Sequence, residues 1–330
     1  MQGVYLQIRT DLACNNSLKG QEKMAHRFYD AKNDIAFRRL FAREENKPLL
    51  ISFLNAVLRR EGEDLIQEVT ILPPELVPNI AEAKRSVLDV RCRDSKNFEY
   101  VVEMQNRKLT SFVQRAQYYA SRAYIEQLWQ GDVYLELRPV ILLAILNHKI
   151  FPDDVGVISY HHTLETETQR HYLKDISYAF IELDKFTKGW DDLETIEDQW
   201  LYLLKKAKET DETPPHASQE ILQAYETLEQ YRWTEGEREA YERARMSIMD
   251  EADMLSTAIE EGLEKGREEG REEVRQEKEV ALKKAEEEKE IALKKAKIEM
   301  AKTLLLKGID IEIISETTGL SMEEMKKLYS

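Results

Sequence analysis

Residues 88–105 read LDVRCRDSKNFEYVVEMQ, two alternating runs separated by the turn-forming stretch Asp94 to Asn97. Alternation with a period of two and a turn between two runs predict a β-hairpin. If the loop centres on Lys96, Arg93 faces Glu99, Arg91 faces Val101 and Asp89 faces Glu103. One face then carries Leu88, Val90, Cys92, Phe98, Tyr100, Val102 and Met104. The other carries Asp89, Arg91, Arg93, Glu99, Val101, Glu103 and Gln105. A slip of one residue would mix the two sets, so the pattern selects this register.

In that register two like charges, Asp89 and Glu103, meet across the strands, which destabilises unless something positive lies between them. A divalent cation would serve. Oxygen-only ligands favour Mg2+ or Mn2+, which can lower the pKa of a bound water and offset charge on a phosphodiester oxygen. The competing reading is that Arg91 and Arg93 neutralise the pair on an exposed, solvated face.

Outward from the hairpin, KNDIAFRRLFA (32–42) and Pro48 to Arg60 read as helices, the first with Asn33 as its cap. Glu68 to Leu72 is a short strand, closed by the breaker Pro73 to Pro78. A helix from Ser111 to Gln130 follows, then the buried-type strand Val140 to Leu146 and a strand near Tyr178 to Leu183. Helices and strands in this order predict an α/β fold with a mixed sheet flanked by helices.

The chain of 330 residues divides into a leader, 1–23, with Met24 a candidate start; a core domain, 24–190; a helical region, 191–254; a long charged helix, 255–300; and a small helical tail, 301–330. KETDETPPHAS (208–218) reads as a linker. In the long helix, KEVALKKAEEE (278–288) is followed by the near-copy KEIALKKAKIE (289–299). An eleven-residue period predicts a straight or right-handed supercoiled helix, either a solvated single helix or a homo-oligomerising coiled coil. The tail has two short helices around TGLS; Gly308 and Gly319 end helices, and Ser321 with Glu324 forms a capping box for the last one. Its second helix carries two acids and two lysines, which favours packing or oligomerisation over reading DNA.

Net charge is −15, but residues 1–150 hold 22 Lys+Arg against 19 Asp+Glu, and the remainder 26 against 44. The first half, at +3, can approach nucleic acid more readily than the second, at −18. No apolar run reaches the roughly 20 residues of a membrane span, and Arg9 and Asp11 interrupt the first stretch. Two cysteines, Cys14 and Cys92, suit a reducing compartment, so a soluble cytoplasmic chain is expected. His161, His162 and His171 lack metal-ligand spacing.

Asp89, fourteen positions to Glu103, then one residue to Gln105, resembles the D…E-x-K signature of the PD-(D/E)XK nuclease superfamily, with Gln in the usual Lys position. More narrowly, YDAKNDIAFRRLF, NKPLLISFLNAVL, VLDVRCRD, YVVEMQ, FVQRAQYYASRAYIEQLWQGDVY and ELRPVILLAIL, in that order, resemble the Rpn-type recombination-promoting nuclease and transposase family. The similarity spans Phe28 to Lys188. It implies a restriction-endonuclease-like α-β-β-β-α-β core and Mg2+-dependent (or Mn2+-dependent) cleavage of DNA. By this resemblance Asp89 and Glu103 bind the metal, and Gln105 replaces the lysine that positions the attacking water. A neutral amide can orient a water but supplies no positive charge. Arg115, in the R-x-x-Y-Y block with Tyr118 and Tyr119, is a candidate substitute able to hold a phosphate, or else a surface arginine. Asp34 either joins the metal cluster from the first helix or is an acid favoured by that helix's dipole. The alternative to an active endonuclease is a weak or inactive nuclease fold that binds DNA or acts as a scaffold.

Overall fold

The structure is a computed structural model and describes residues 26–76, 86–129 and 131–329; the expected leader, Met24 and Cys14 lie outside the described residues. Helix α1 is Asp34–Phe41 and begins directly after the expected cap, Asn33, whose side chain accepts the Ile35 amide at 2.9 Å. It buries Ala36, Phe37, Leu40 and Phe41. Helix α2, Lys47–Val57, has Pro48 in its first turn, where the missing N–H is no loss, and buries Leu49, Leu50, Phe53, Leu54 and Val57. Strand β1 is Val69–Ile71, and β2 (Glu75–Leu76) pairs with β3 (Ser86–Val87) in a separate two-stranded ladder.

The hairpin forms in the expected register. Strands β4 (Val90–Asp94) and β5 (Glu99–Gln105) pair Val90 with Val102, Arg91 with Val101, Cys92 with Tyr100 and Arg93 with Glu99. Asp94 shapes the turn: its Oδ1 accepts the Lys96 and Phe98 amides at 2.9 and 2.8 Å, and Asn97 takes a positive φ of 63°. Two expectations are corrected. Leu88 packs with Val101, on the face opposite Val90, because the regular strand begins only at Val90 and the bend at Asp89 breaks the alternation. The polar face is not solvated either. Glu99 and Val101 are wholly buried and Glu103 is 4% exposed, since helix α3 (Phe112–Ile125) lies over that face with Phe112, Ala116, Tyr119, Ala120 and Ala123 turned inward.

Strand β6 (Val140–Leu146) adds parallel to β5, and each of its seven residues is buried, which is why VILLAIL shows no alternation. Strands β7 (Ile158–Thr163) and β8 (Leu173–Glu182) complete a six-stranded mixed sheet in the order β1-β4-β5-β6-β8-β7. Strand β7 was not expected: ISYHHT is an edge strand with no fully buried side chain, so it carries little apolar signal. Strand β8 starts five residues before the expected Tyr178 because its exposed end pairs with β7.

Helices α4 (Ile196–Lys206) and α5 (Gln219–Leu228) close the second face of the sheet. Trp200 stacks into the α1–α2 core at 5.6 Å from both Phe41 and Phe53, and its indole N–H donates to Ser52. The helices and loops of 191–241 therefore share the core of the sheet. The stretch 208–218 is a mostly exposed connection between α4 and α5, two helices of the same core, rather than a link between domains.

Helix α6 is Glu235–Leu306, longer at both ends than the expected 255–300. Its first turn is set by a capping box, Thr234 Oγ1 accepting the Glu237 amide while Glu237 accepts the Thr234 amide at 2.8 Å. Tyr241, on the same helix, packs against Tyr29 at 4.1 Å between ring centroids.

The chain divides into two compact units between Ile248 and Met249. The second holds the rest of α6 with α7 (Ile311–Thr318) and α8 (Met322–Tyr329). Ala301, Ile314, Leu320 and Met325 form its core. Gly319 ends α7 at a φ of 68°, left-handed backbone that glycine takes without strain. The Ser321–Glu324 box caps α8, with 3.0 Å from the Ser321 amide to Glu324. Among the described residues no helix is long and apolar enough to cross a membrane.

Candidate active site

Asp89, in the bend before β4, and Glu103, in β5, meet as the register requires. The Asp89 amide donates to Glu103 Oε1 at 3.4 Å, and the Met104 amide donates to Asp89 Oδ2 at 2.9 Å. Asp89 is 9% exposed and Glu103 4%. Burial, and then the neighbouring Asp89 charge, push the Glu103 carboxyl well above the ordinary carboxylate range, while Arg115 opposes the rise.

Whether Arg91 and Arg93 neutralise this pair is answered by where they point. Arg91 Nε donates to Glu99 at 2.5 Å and Arg93 Nη2 to the same carboxylate at 3.3 Å; Arg91 also lies 3.7 Å from Glu126. Glu99, not the Asp89–Glu103 pair, takes both arginines. The two carboxylates meet instead a guanidinium from outside the hairpin: Arg38 of α1, one helical turn after Asp34, lies 3.2 Å from Asp89 Oδ1. Arg38 escaped the sequence reading. Its signal was the Asp34–Arg38 spacing, which puts an acid and a base on one helix face.

Asp34 is exposed as a residue, yet its carboxyl is raised by partial desolvation and by Asp89, and lowered by Arg38, so it shares the electrostatic neighbourhood of the pair. Arg115 Nε donates to the Tyr119 hydroxyl at 2.7 Å, and its guanidinium sits 5.1 Å from that ring's centroid. Tyr119, nearly buried, is the partner that aims Arg115, and its hydroxyl is raised chiefly by burial. Gln105 donates Nε2–H to the Arg107 carbonyl at 3.1 Å, which leaves its Oε1 as the acceptor. Asp89, Glu103 and Arg38 thus come together, Asp34 and Arg115 act on the pair electrostatically, and Gln105 ends β5. The histidines, which lacked metal-ligand spacing in the sequence, are not part of this set: His161 stacks on Phe151 at 4.9 Å.

Residues 31–258, more than half of the chain, match the family model described as PD-(D/E)XK nuclease family transposase. The chain belongs to this family. Residues 294–330 match the Rpn/YhgA-like nuclease family, C-terminal HTH domain, and α7, the Gly319 turn and α8 have the two-helix form of a helix–turn–helix. That match corrects the expectation of a mere packing tail, which rested on the low basic excess of α8. No curated protein and no solved structure gives a match.

Do the residues of this PD-(D/E)XK family chain fit a metal? Among the described residues no group of three or more His, Cys, Asp or Glu side chains is arranged to hold one. The Asp89–Glu103 pair still fits: two hard oxygen donors lie side by side, buried, with one carboxyl destabilised as an anion by the other. Mg2+ is commonly held by one or two carboxylates with water and phosphate completing its shell.

Proposed function

We propose that the chain is a divalent-metal-dependent DNA endonuclease of the recombination-promoting type, hydrolysing phosphodiesters at the Asp89–Glu103 pair. The observation that carries this reading is the buried like-charge pair whose nearest hairpin arginines are committed to Glu99. Leaving two carboxylates together in a dry site costs stability, a pattern common at functional sites. Asp89 and Glu103 would hold Mg2+ or Mn2+, which when bound lowers the pKa of a water and offsets charge on the phosphate.

The protein's own groups do the rest. The Met104 amide fixes the Asp89 carboxylate, and the Asp89 amide fixes Glu103. Gln105 Oε1 orients a water by accepting its proton in a hydrogen bond. Arg115, aimed by Tyr119, supplies the positive charge that Gln105 lacks and holds a phosphate oxygen. The C-terminal helix–turn–helix contributes a second DNA contact. Beyond DNA, the partner set includes a second copy of the chain through the long helix. The buried free thiol of Cys92 is in keeping with a reducing cytoplasm.

One observation favours a second reading, a weak or inactive nuclease fold that binds DNA as a scaffold: the Gln105 amide is tied to Arg107 and brings no charge to the site. Plasmid nicking with Mg2+ or Mn2+ separates the two. Wild type should nick and Asp89→Ala and Glu103→Ala should not. A wild type no faster than the double variant would leave only the scaffold.

A further inference from the structure

Helix α6 carries a longer pattern than its near-copied segment. Ile259, Gly270, Ala281 and Ala292 recur every eleven residues, and Leu263, Val274, Ala285 and Ala296 recur four positions after them. Eleven residues complete three turns at about 98° per residue, so the two series lie about 33° apart and form one stripe. All eight residues are exposed, including Ile259 at 52%, Leu263 at 40% and Val274 at 51%. A helix held only by solvated Glu/Lys pairs has no use for an apolar stripe of constant period.

The charges beside the stripe are sorted by sign. On one side, about 49° from the stripe's centre, stand Glu277, Glu288 and Glu299; on the other, at the same angle, stand Arg267, Lys278 and Lys289. Away from the stripe the charges pair within the helix, Glu272 with Arg275 at 3.0 Å, Glu279 with Lys283 at 2.9 Å and Lys265 with Glu269 at 3.9 Å. None of the six flanking residues makes an ion pair among the described residues.

We propose that two copies of this chain pair in parallel and in register along the stripe from Ile259 to Ala296, as a right-handed two-stranded coil. Charge selects the direction. A two-fold axis along the helices puts the acidic flank of one copy against the basic flank of the other, whereas antiparallel packing puts acid against acid and base against base. Register follows as well: Glu277 of one copy lies one residue, about 1.5 Å of rise, from Lys278 of the other, and Glu288 likewise from Lys289. Gly270 and the four alanines let the helices approach closely, and Ile259, Leu263 and Val274 fill the wider end. The proposal is independent of the nuclease reading, since it uses no residue of the active site.

The test uses the full chain with Cys14→Ser, Cys92 being buried. Light scattering at micromolar concentration should give the mass of a dimer. Ile259→Cys and Ala296→Cys, each oxidised alone, should each yield a disulfide-linked dimer. Glu277→Lys with Glu288→Lys should weaken pairing by about tenfold or more, with recovery on mixing with a Lys278→Glu, Lys289→Glu chain. A monomer mass for wild type, cross-linking only when the two cysteine variants are mixed, or pairing unchanged by the charge reversal would each overturn it.

Discussion

Glu103 is the residue on which the site turns, because its carboxyl is buried against Asp89 without a cation from its own hairpin. On the proposed reading, such a group lowers the stability of the metal-free fold and offers a ligand position. Glu103→Gln keeps the acceptor for the Asp89 amide and removes one charge. It is expected to raise metal-free stability by about 1–2 kcal/mol in denaturant melts, while losing the thermal shift that wild type gains with Mn2+. Lower metal-free stability in the variant would contradict this account. At Gln105 the expectation runs the other way: Gln105→Lys restores a cation beside the water and should speed single-turnover nicking by about tenfold, and should make Arg115→Ala less damaging than it is in the wild-type background. Equal losses from Arg115→Ala in both backgrounds would show that Arg115 does not stand in for the lysine. The pairing of Asp89 with Glu103 was legible from alternation alone. Arg38 was not, because its partner lies 51 residues away on another element.

At the scale of elements, one carboxylate at the start of α6 gathers several donors of the core. Glu237 accepts from Arg39, from Arg43 at 2.5 Å and from Thr234. Burial alone would raise its pKa; the Thr234 amide, Arg43, the Thr234 hydroxyl and Arg39 outweigh it and hold the carboxyl down at about 2. A group depressed on folding contributes stability above its unfolded value and loses it as pH falls through the folded one. Wild type should therefore exceed Glu237→Gln in stability at neutral pH, by about 1–2 kcal/mol. The gap should narrow as pH falls below about 4.5 and close near pH 2. A gap that does not change between neutral and acid pH, read in urea melts, would refute the assignment. Sequence placed most helices and strands within a few residues but began α6 twenty residues late. The reason is that EGEREAYERARMS (235–247) contacts the core through Tyr241 and Glu237 and so lacks the repeat seen later.

For the whole molecule, charge is unevenly placed: residues 1–150 carry +3 and the rest −18. If the chain binds DNA as proposed, bulk attraction to the second half cannot supply the affinity, and local contacts in the helix–turn–helix would be what that half contributes. A chain ended at residue 293 should bind DNA about tenfold or more weakly in gel shifts, with a shallower salt dependence, yet nick normally at saturating DNA. Undiminished affinity would remove the C-terminal helices from the DNA-binding surface.

Sequence by itself determined the hairpin register, the meeting of the two carboxylates, the mixed α/β order and the eleven-residue period, since each rests on local spacing that backbone geometry converts directly into a face. Tertiary structure decided what covers each face. It buried the strand face that alternation had marked as polar, sent Arg91 and Arg93 to Glu99, brought Arg38 to Asp89 and drew the helices after Gly189 into the first core. Those outcomes depend on which distant elements pack together, and an alternating pattern distinguishes two faces without saying which of them will meet water.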